Sequence, residues 1–312
     1  MWLDVLSPGP YTAVRDLGRT GFAHIGVPVC GPMDAFAFRA ANRLAGNPPE
    51  SALLEFLYEG PEVVPAVDCV AVLTGYGYSM QVDKQKYPAW LSVIVRAGQT
   101  IRLQAGGQGR WGYLAISGGL DIPLVMGSRS TQLRGSFGGW QGRVLQAGDR
   151  LPLGYGQYPW SIAGKRLPES SIPAYSTYVT VPAVPAPQSD WFTPESYRAF
   201  WESEYRITAQ SDRMGSRLEG PALALEPGQA ELLSEGVIPG VVQVPSGGQP
   251  VVLMADCQTT GGYPKIAVVP QAGLPLLAQC PPVDGTVKFK SVTLDEAQSA
   301  WQSLLAGLKK LE

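Results

Sequence analysis

Histidine is nearly missing from this chain: His24 is the only one in 312 residues, so any histidine-dependent triad or metal centre has to pass through it. Its surroundings, TGFAHIGVPVCGPMD, show no carboxylate pattern that would orient the ring, and a surface or packing role is the expectation. No G-x-S-x-G elbow, H-E-x-x-H pair or EF-hand loop occurs, which removes the best-marked routes to serine-hydrolase and metal chemistry. G-x-x-x-x-G-K-[ST] is absent as well, and the run Gly135–Gly142 (GSFGGWQG) has no lysine behind it, so no P-loop is expected here. If a nucleotide is used, its site is expected elsewhere or on another polypeptide.

Cysteine and charge are also scarce. Cys30, Cys69, Cys257 and Cys280 are separated by 39, 188 and 23 positions with no C-x-x-C, which points to reduced thiols and away from structural zinc. Charged residues make up 16%, with 24 Lys and Arg against 26 Asp and Glu for a net charge of -2, so nothing draws the protein globally to nucleic acid or anionic lipid. No apolar run approaches a spanning helix, and the first residues, MWLDVLSPGP, lack the basic start and apolar core of a signal peptide. The expected location is the cytoplasm, with neither nucleic acid nor membrane as partner. Hydrophobic content of 45% and a mean hydropathy of +0.01 describe an ordinary folded protein, long enough for two cores.

What is plentiful is glycine and proline, 37 and 28 residues, set between short β-branched runs in the manner of strands and turns. Candidate strands include Val67 to Thr74, Leu91 to Arg96, Thr100 to Leu103, Trp111 to Ser117, Tyr178 to Val184, Val237 to Val244, Val251 to Ala255, Lys265 to Val269 and Thr286 to Val292. Many short strands favour barrels or sandwiches. Three helices interrupt them: Ala35 to Ala45 capped by Asp34, one from Pro194 to about Glu204 capped by Thr193, and a last helix behind a capping box of Thr293 and Glu296. Periodicity lapses between Tyr155 and Tyr175, which divides the chain into domains 1–165 and 166–312.

Two stretches concentrate polar chemistry. Gly118 to Gly154 combines glycines and hydroxyls with Arg129, Arg134 and Arg143, planar forks suited to carboxylate or carboxamide oxygens; Ala255 to Lys265 (ADCQTTGGYPK) adds a carboxylate, amide, hydroxyls, tyrosine and lysine. They are expected to wall one site, although such glycine clusters are equally at home in hairpin turns. Asp256 is the candidate base, Lys265 or Arg129 the cation for developing negative charge, and Tyr263 a donor. Each also has an ordinary role open to it: Asp256 capping a turn, Tyr263 packing, Lys265 solvated. In Gln210 to Gly220, Asp212 and Arg213 are as well placed to pair with each other as to touch substrate. Cys257 is not expected to be a nucleophile.

Ordered strings of residues resemble the allophanate hydrolase subunit 2 group, also described as the biotin-dependent carboxyltransferase-like family, which includes the C component of 5-oxoprolinase and the Kip-antagonist proteins. They run from Val14-Arg15-Asp16-Leu17-Gly18-Arg19 through Cys30-Gly31-Pro32-Met33-Asp34, Ala41 to Asn47, Ala52-Leu53-Leu54-Glu55, Gly127-Ser128-Arg129-Ser130-Thr131, Gly142-Arg143 and Gly148 to Pro152. In the second half they include Ser211-Asp212-Arg213-Met214-Gly215, Pro239 to Pro245 and Gln258 to Lys265. The resemblance implies a mainly β fold of tandem cyclophilin-like β-barrels whose glycine-rich segments face a shared groove. At the matched positions it implies a substrate-binding set of Ser128, Arg129, Ser130, Thr131, Arg143, Arg213, Gln243, Gln258, Thr259 and Thr260, beside Asp256, Tyr263 and Lys265 as catalytic candidates.

The activity implied is that of one part of a multi-subunit, ATP-hydrolysing 5-oxoprolinase, opening 5-oxoproline to glutamate. Its implied partners are a cyclophilin-like B component and a lactam-hydrolase-like A component. The alternatives implied are carboxyl transfer from carboxybiotin in a urea carboxylase system, where biotin is the cofactor, and a non-catalytic Kip-type antagonist. Two departures bear on the substrate: Gln271-Ala272-Gly273-Leu274 carries Gly273 where the resembling sequences usually have an acid, and Tyr76 and Tyr78 stand where smaller residues are common.

Overall fold

The computed structural model describes residues 1–155, 160–229 and 232–309. Residues 156–159, part of the expected linker, lie outside the described residues. The chain divides into two compact units, one of Met1–Arg19, Cys30–Ile172 and Leu305–Glu312, the other of Thr20–Val29 and Pro173–Leu304. The architecture is mainly β.

In the first unit, β1 (Trp2–Ser7), β2 (Thr12–Arg15), β3 (Leu53–Leu57), β4 (Glu62–Pro65), β5 (Cys69–Gly75), β6 (Tyr78–Val82), β7 (Gln85–Pro88), β8 (Ser92–Val95), β9 (Ile101–Ala105), β10 (Trp111–Ile116) and β11 (Arg150–Pro152) form two sheets, and the helix α1 (Ala35–Leu44) lies between β2 and β3 in sequence. One runs β11-β1-β4-β9-β6-β7 and the other β2-β3-β10-β5-β8. The central strands β5 (CVAVLTG) and β10 (WGYLAI) are buried at every position, as their unbroken apolar runs require. By contrast β6 alternates, turning Tyr78, Met80 and Val82 inward. Helix α1 starts where the Asp34 side chain accepts the Ala37 amide, buries Phe36, Phe38, Ala41 and Leu44, and ends at Ala45 before Gly46 turns left-handed at φ 70°.

The second unit holds β12 (Tyr178–Pro185), α2 (Pro194–Glu202), β13 (Glu204–Ile207), β14 (Gly215–Glu219), β15 (Glu235–Gly236), β16 (Val241–Gln243), β17 (Val251–Leu253), β18 (Thr260–Gly261), β19 (Lys265–Val268), α3 (Leu274–Gln279), β20 (Thr286–Ser291) and α4 (Leu294–Lys309), whose end passes to the first unit. Seven of its strands close a barrel in the order β12-β19-β16-β17-β14-β13-β20. The pair β15 and β18 stays outside as a two-stranded ribbon. Both expected caps form: Thr193 accepts the Ser196 amide at 3.2 Å, and Thr293 and Glu296 exchange backbone-to-side-chain bonds at 2.8 and 3.2 Å.

Helix α2 ends at Glu202, in agreement with the expected end near Glu204, because Glu204 already pairs with Lys288 at the start of β13. Two local expectations need correction. The stretch Val237 to Val244 is a strand only over Val241–Gln243, since Pro239 lacks an amide and Gly240 adopts φ 96°. Among the described residues there is also a fourth helix, α3, whose six residues are too few to show a helical period.

Candidate functional site

In the first unit the hydroxyl-rich segment from Ser128 to Thr131 is tied to Asp16. Asp16 Oδ1 accepts from Ser128 Oγ at 2.6 Å, Ser130 Oγ at 2.8 Å and the Gly18 amide at 2.8 Å; Oδ2 accepts the Arg129 amide at 2.5 Å. Thr131 Oγ1 donates to the Val14 carbonyl at 3.0 Å. Ser128, Ser130 and Thr131 are fully buried, so their hydroxyls hold the loop in shape. Arg129 alone of this string reaches outward, its side chain 33% exposed and its Nη2 3.3 Å from Asp121 Oδ1. Arg143 is held by both oxygens of Asp149 at 2.7 and 2.8 Å, and this hydrogen-bonded partner raises its affinity for the proton.

Beneath that loop lies a buried ion pair that the expected site did not include. Arg15 Nε meets Glu55 Oε1 at 3.3 Å with both side chains fully buried, and Arg15 also donates to Tyr11 and to the Thr131 carbonyl. Glu55 Oε2 accepts the Met33 amide at 2.8 Å and the Tyr113 hydroxyl at 3.0 Å, and Tyr113 accepts the Asp34 amide at 2.7 Å. Thus one network links β2, β3, β10 and the turn that starts α1. Arg19, 1% exposed, donates to the Ser130 carbonyl at 2.5 Å and stacks 4.9 Å over Phe137. Burial lowers its proton affinity, partly offset by the neighbouring Cys30.

In the second unit Asp256 is gripped along the side edge of a guanidinium. Arg213 Nε and Nη2 each reach one of its oxygens at 2.7 Å, and the Asp256 amide donates to the Arg213 carbonyl at 2.8 Å. Arg213 therefore pairs with Asp256, while Asp212 accepts the amides of Met214 and Gly215 at 2.8 and 3.1 Å. Cys257 packs with Val237, Val241 and Leu253 in the barrel core.

Lys265 opens β19 opposite Gln243 of β16, just past a shift of register between Val242 and Gln243, and the two residues are 6% and 2% exposed. The Lys265 ammonium bonds Glu235 Oε1, and this bond holds the Glu235 carboxyl below its ordinary range. Gln188 Nε2 donates to the same oxygen at 3.3 Å, and Gln258 Nε2 reaches Gln243 Oε1 at 3.5 Å. Thr259 gives its carbonyl to Val237, Thr260 lies in the ribbon strand β18, and Tyr263 is 40% exposed. The structure thus gathers Lys265, Gln243 and Gln258 into one polar cluster within this unit, and sets Asp256 with Arg213 as a pair of its own.

Glu235 and Gln188 were missed because neither stands in a repeating pattern. Arg15 and Glu55 carried a signal: charged residues inside the otherwise apolar strand texts TAVR and LLEFL. His24 is exposed on a short turn of helix, Ala23–Ile25. An open depression of about 400 Å³ in the first unit, edged by Pro10, Glu59, Glu62 and Arg102, contains none of the expected residues. Among the described residues no group of three or more His, Cys, Asp or Glu is placed to hold a metal ion, and no helix is long and apolar enough to cross a membrane.

Residues 25–291 match the family described as carboxyltransferase domain, subdomain A and B. The chain is similar to the 5-oxoprolinase C subunit of Escherichia coli, 39% identical over 302 residues that cover 96% of this chain and 94% of that one. It is also similar to the urea amidolyase of Saccharomyces cerevisiae, 32% identical over 99% of this chain but only 18% of the larger protein. The crystal structure of the K. lactis urea amidolyase superposes with a TM-score of 0.91 at 30% identity, covering all of this chain and 20% of that one.

Proposed function

Because the chain belongs to the carboxyltransferase subdomain A and B family, we propose that it is the C-type subunit of a cytoplasmic, ATP-dependent 5-oxoprolinase. With A-type and B-type partners it opens 5-oxo-L-proline to L-glutamate. The observation that carries this reading is the likeness to a 5-oxoprolinase C component across nearly the full length of both chains. The chemistry agrees with it. A lactam is unreactive towards water until its carbonyl oxygen is activated, and the binding of a small anionic substrate calls for a fixed cation backed by amide donors. Lys265, with Gln243 and Gln258 beside it, supplies that combination.

This chain's glycine-rich loop does not fit a nucleotide. Side-chain carbons added at Gly138, Gly139 and Gly142 would lie 2.3, 1.9 and 2.2 Å from Ser130, Thr131 and Ser136, so the loop packs against its own chain and presents no open phosphate cradle. In this reading the nucleotide belongs to a partner protein. The test is reconstitution: the purified chain and its candidate A-type and B-type partners are mixed with ATP and 5-oxo-L-proline, and glutamate is followed. Release should require all three, and release that persists without this chain would refute the proposal.

The fold likeness to a urea amidolyase favours one second reading, a component that moves a carboxyl group from carboxybiotin to urea. A neighbouring biotin carboxylase and biotin carrier gene would support it, and a neighbouring lactam-hydrolase-like gene would support the first.

A further inference from the structure

Lys265 has an unusual partner for a lysine buried in a barrel wall. Its side chain is 8% exposed, whereas that of Glu235 is 46% exposed and stands on β15, a strand of two residues. Among the described residues that strand pairs only with β18, through Glu235 opposite Gly261 and Gly236 opposite Thr260. The cation is thus fixed by the barrel, while the anion is carried by the smallest and most exposed piece of sheet in the unit. An ion pair with one half in solvent contributes little to stability, so it is easily exchanged.

The donors around that carboxylate exceed what it uses. Glu235 Oε1 accepts from both Lys265 and Gln188. On the strand opposite Lys265, the Nε2 of Gln243 is buried and has no partner, a standing cost for a polar group that an oxyanion would relieve. The ribbon comes close here: a side-chain carbon at Gly261 would lie 2.5 Å from Gln243 Nε2, so β18 covers this amide at the glycine.

We propose that Lys265, Gln243 and Gln188 form a subsite for the carboxylate of a small anionic substrate, and that Glu235 fills it as an internal stand-in until the substrate displaces it. Identifying the occupant as 5-oxo-L-proline rests on the function proposed above; the site itself does not. It selects carboxylated ligands over neutral ones such as urea, and displacing Glu235 frees the β15 and β18 ribbon to move.

The test is calorimetric titration of the full chain with 5-oxo-L-proline, acetate and the neutral lactam 2-pyrrolidinone. In Glu235→Ala the internal competitor is gone, and both carboxylates should bind about tenfold more tightly than to the wild type. The gain should vanish in Glu235→Ala with Lys265→Met, and 2-pyrrolidinone should not discriminate among the three proteins. Should Glu235→Ala fail to unfold cooperatively, Glu235→Gln keeps the shape, removes the charge, and should show the same gain. Unchanged carboxylate affinity in a folded Glu235 variant, or a gain that survives loss of Lys265, overturns the subsite. A gain for acetate combined with no glutamate release by the complete reconstituted mixture leaves the subsite standing and removes the 5-oxoprolinase reading, so the two failures are separable.

Discussion

Arg213 and Asp256 face each other across 43 residues of sequence, joined by two parallel hydrogen bonds of 2.7 Å with side chains 8% and 16% exposed. The contact fastens the loop after β17 to the loop before β14. Both carboxylate oxygens are engaged by this contact, in the segment that leads into Lys265.

That geometry has a thermodynamic signature. Arg213→Ala or Asp256→Ala should each lower stability by about 2 kcal/mol, because a largely buried charge loses its bidentate partner. The double variant should cost much less than the sum, and urea denaturation of the four proteins measures the coupling. Additive losses would show that the two side chains act independently.

Arg15 and Glu55 set a stronger case, since neither side chain touches solvent. Glu55→Ala leaves a guanidinium buried without its carboxylate and frees Tyr113 and the Met33 amide at once. The expected loss is about 3 to 5 kcal/mol, read as a fall in the urea midpoint with unchanged slope.

The loop under the first polar stretch depends on Gly139, where φ is +53° and an added carbon would lie 1.9 Å from Thr131 Oγ1. Gly139→Ala should destabilise by about 2 kcal/mol through overpacking and a strained backbone. Thermal unfolding checks this, with Gly148→Ala as comparison: its φ is +88°, but open space surrounds the added carbon, so it pays for backbone strain alone.

The Glu235 pair predicts a dependence on pH. Its carboxyl is held below the ordinary 4.5, chiefly by the hydrogen bond from Lys265. A depressed carboxylate stabilises the fold above its unfolded value and loses that contribution as pH falls through the folded value. The difference in melting temperature between wild type and Glu235→Gln should therefore be small but present at neutral pH and shrink only once pH has fallen below the ordinary carboxylate range and through the folded value. A difference that never shrinks as the pH is lowered to the onset of acid unfolding would mean that the charge on Glu235 is not what matters.

Much of the fold was legible because local chemistry and tertiary role coincide. Asp34, Thr193 and Thr293 cap helices in the structure as their neighbours imply, and the apolar runs of β5 and β10 become central strands. Where two signals compete, the text misleads: Val237 to Val244 is rich in valine, yet Pro239 and Gly240 confine the strand to its second half. The polar residues were harder. Ser128, Ser130 and Thr131 have the composition of a binding loop, but Asp16, more than a hundred residues earlier, takes up the hydroxyls of the two serines. Pairings such as Lys265 with Glu235 depend on which segments the barrel brings together, and no spacing in the sequence encodes them.

The most direct measurement of the central claim is kcat/KM for glutamate release by the reconstituted three-protein mixture with Lys265→Met in place of the wild-type chain. If this chain binds the substrate, the value should drop by about 10- to 100-fold, the worth of one charge-assisted hydrogen bond, while the assembly remains intact by gel filtration. An intact assembly with wild-type kcat/KM would contradict the account and leave the chain a binding partner with no contact to substrate.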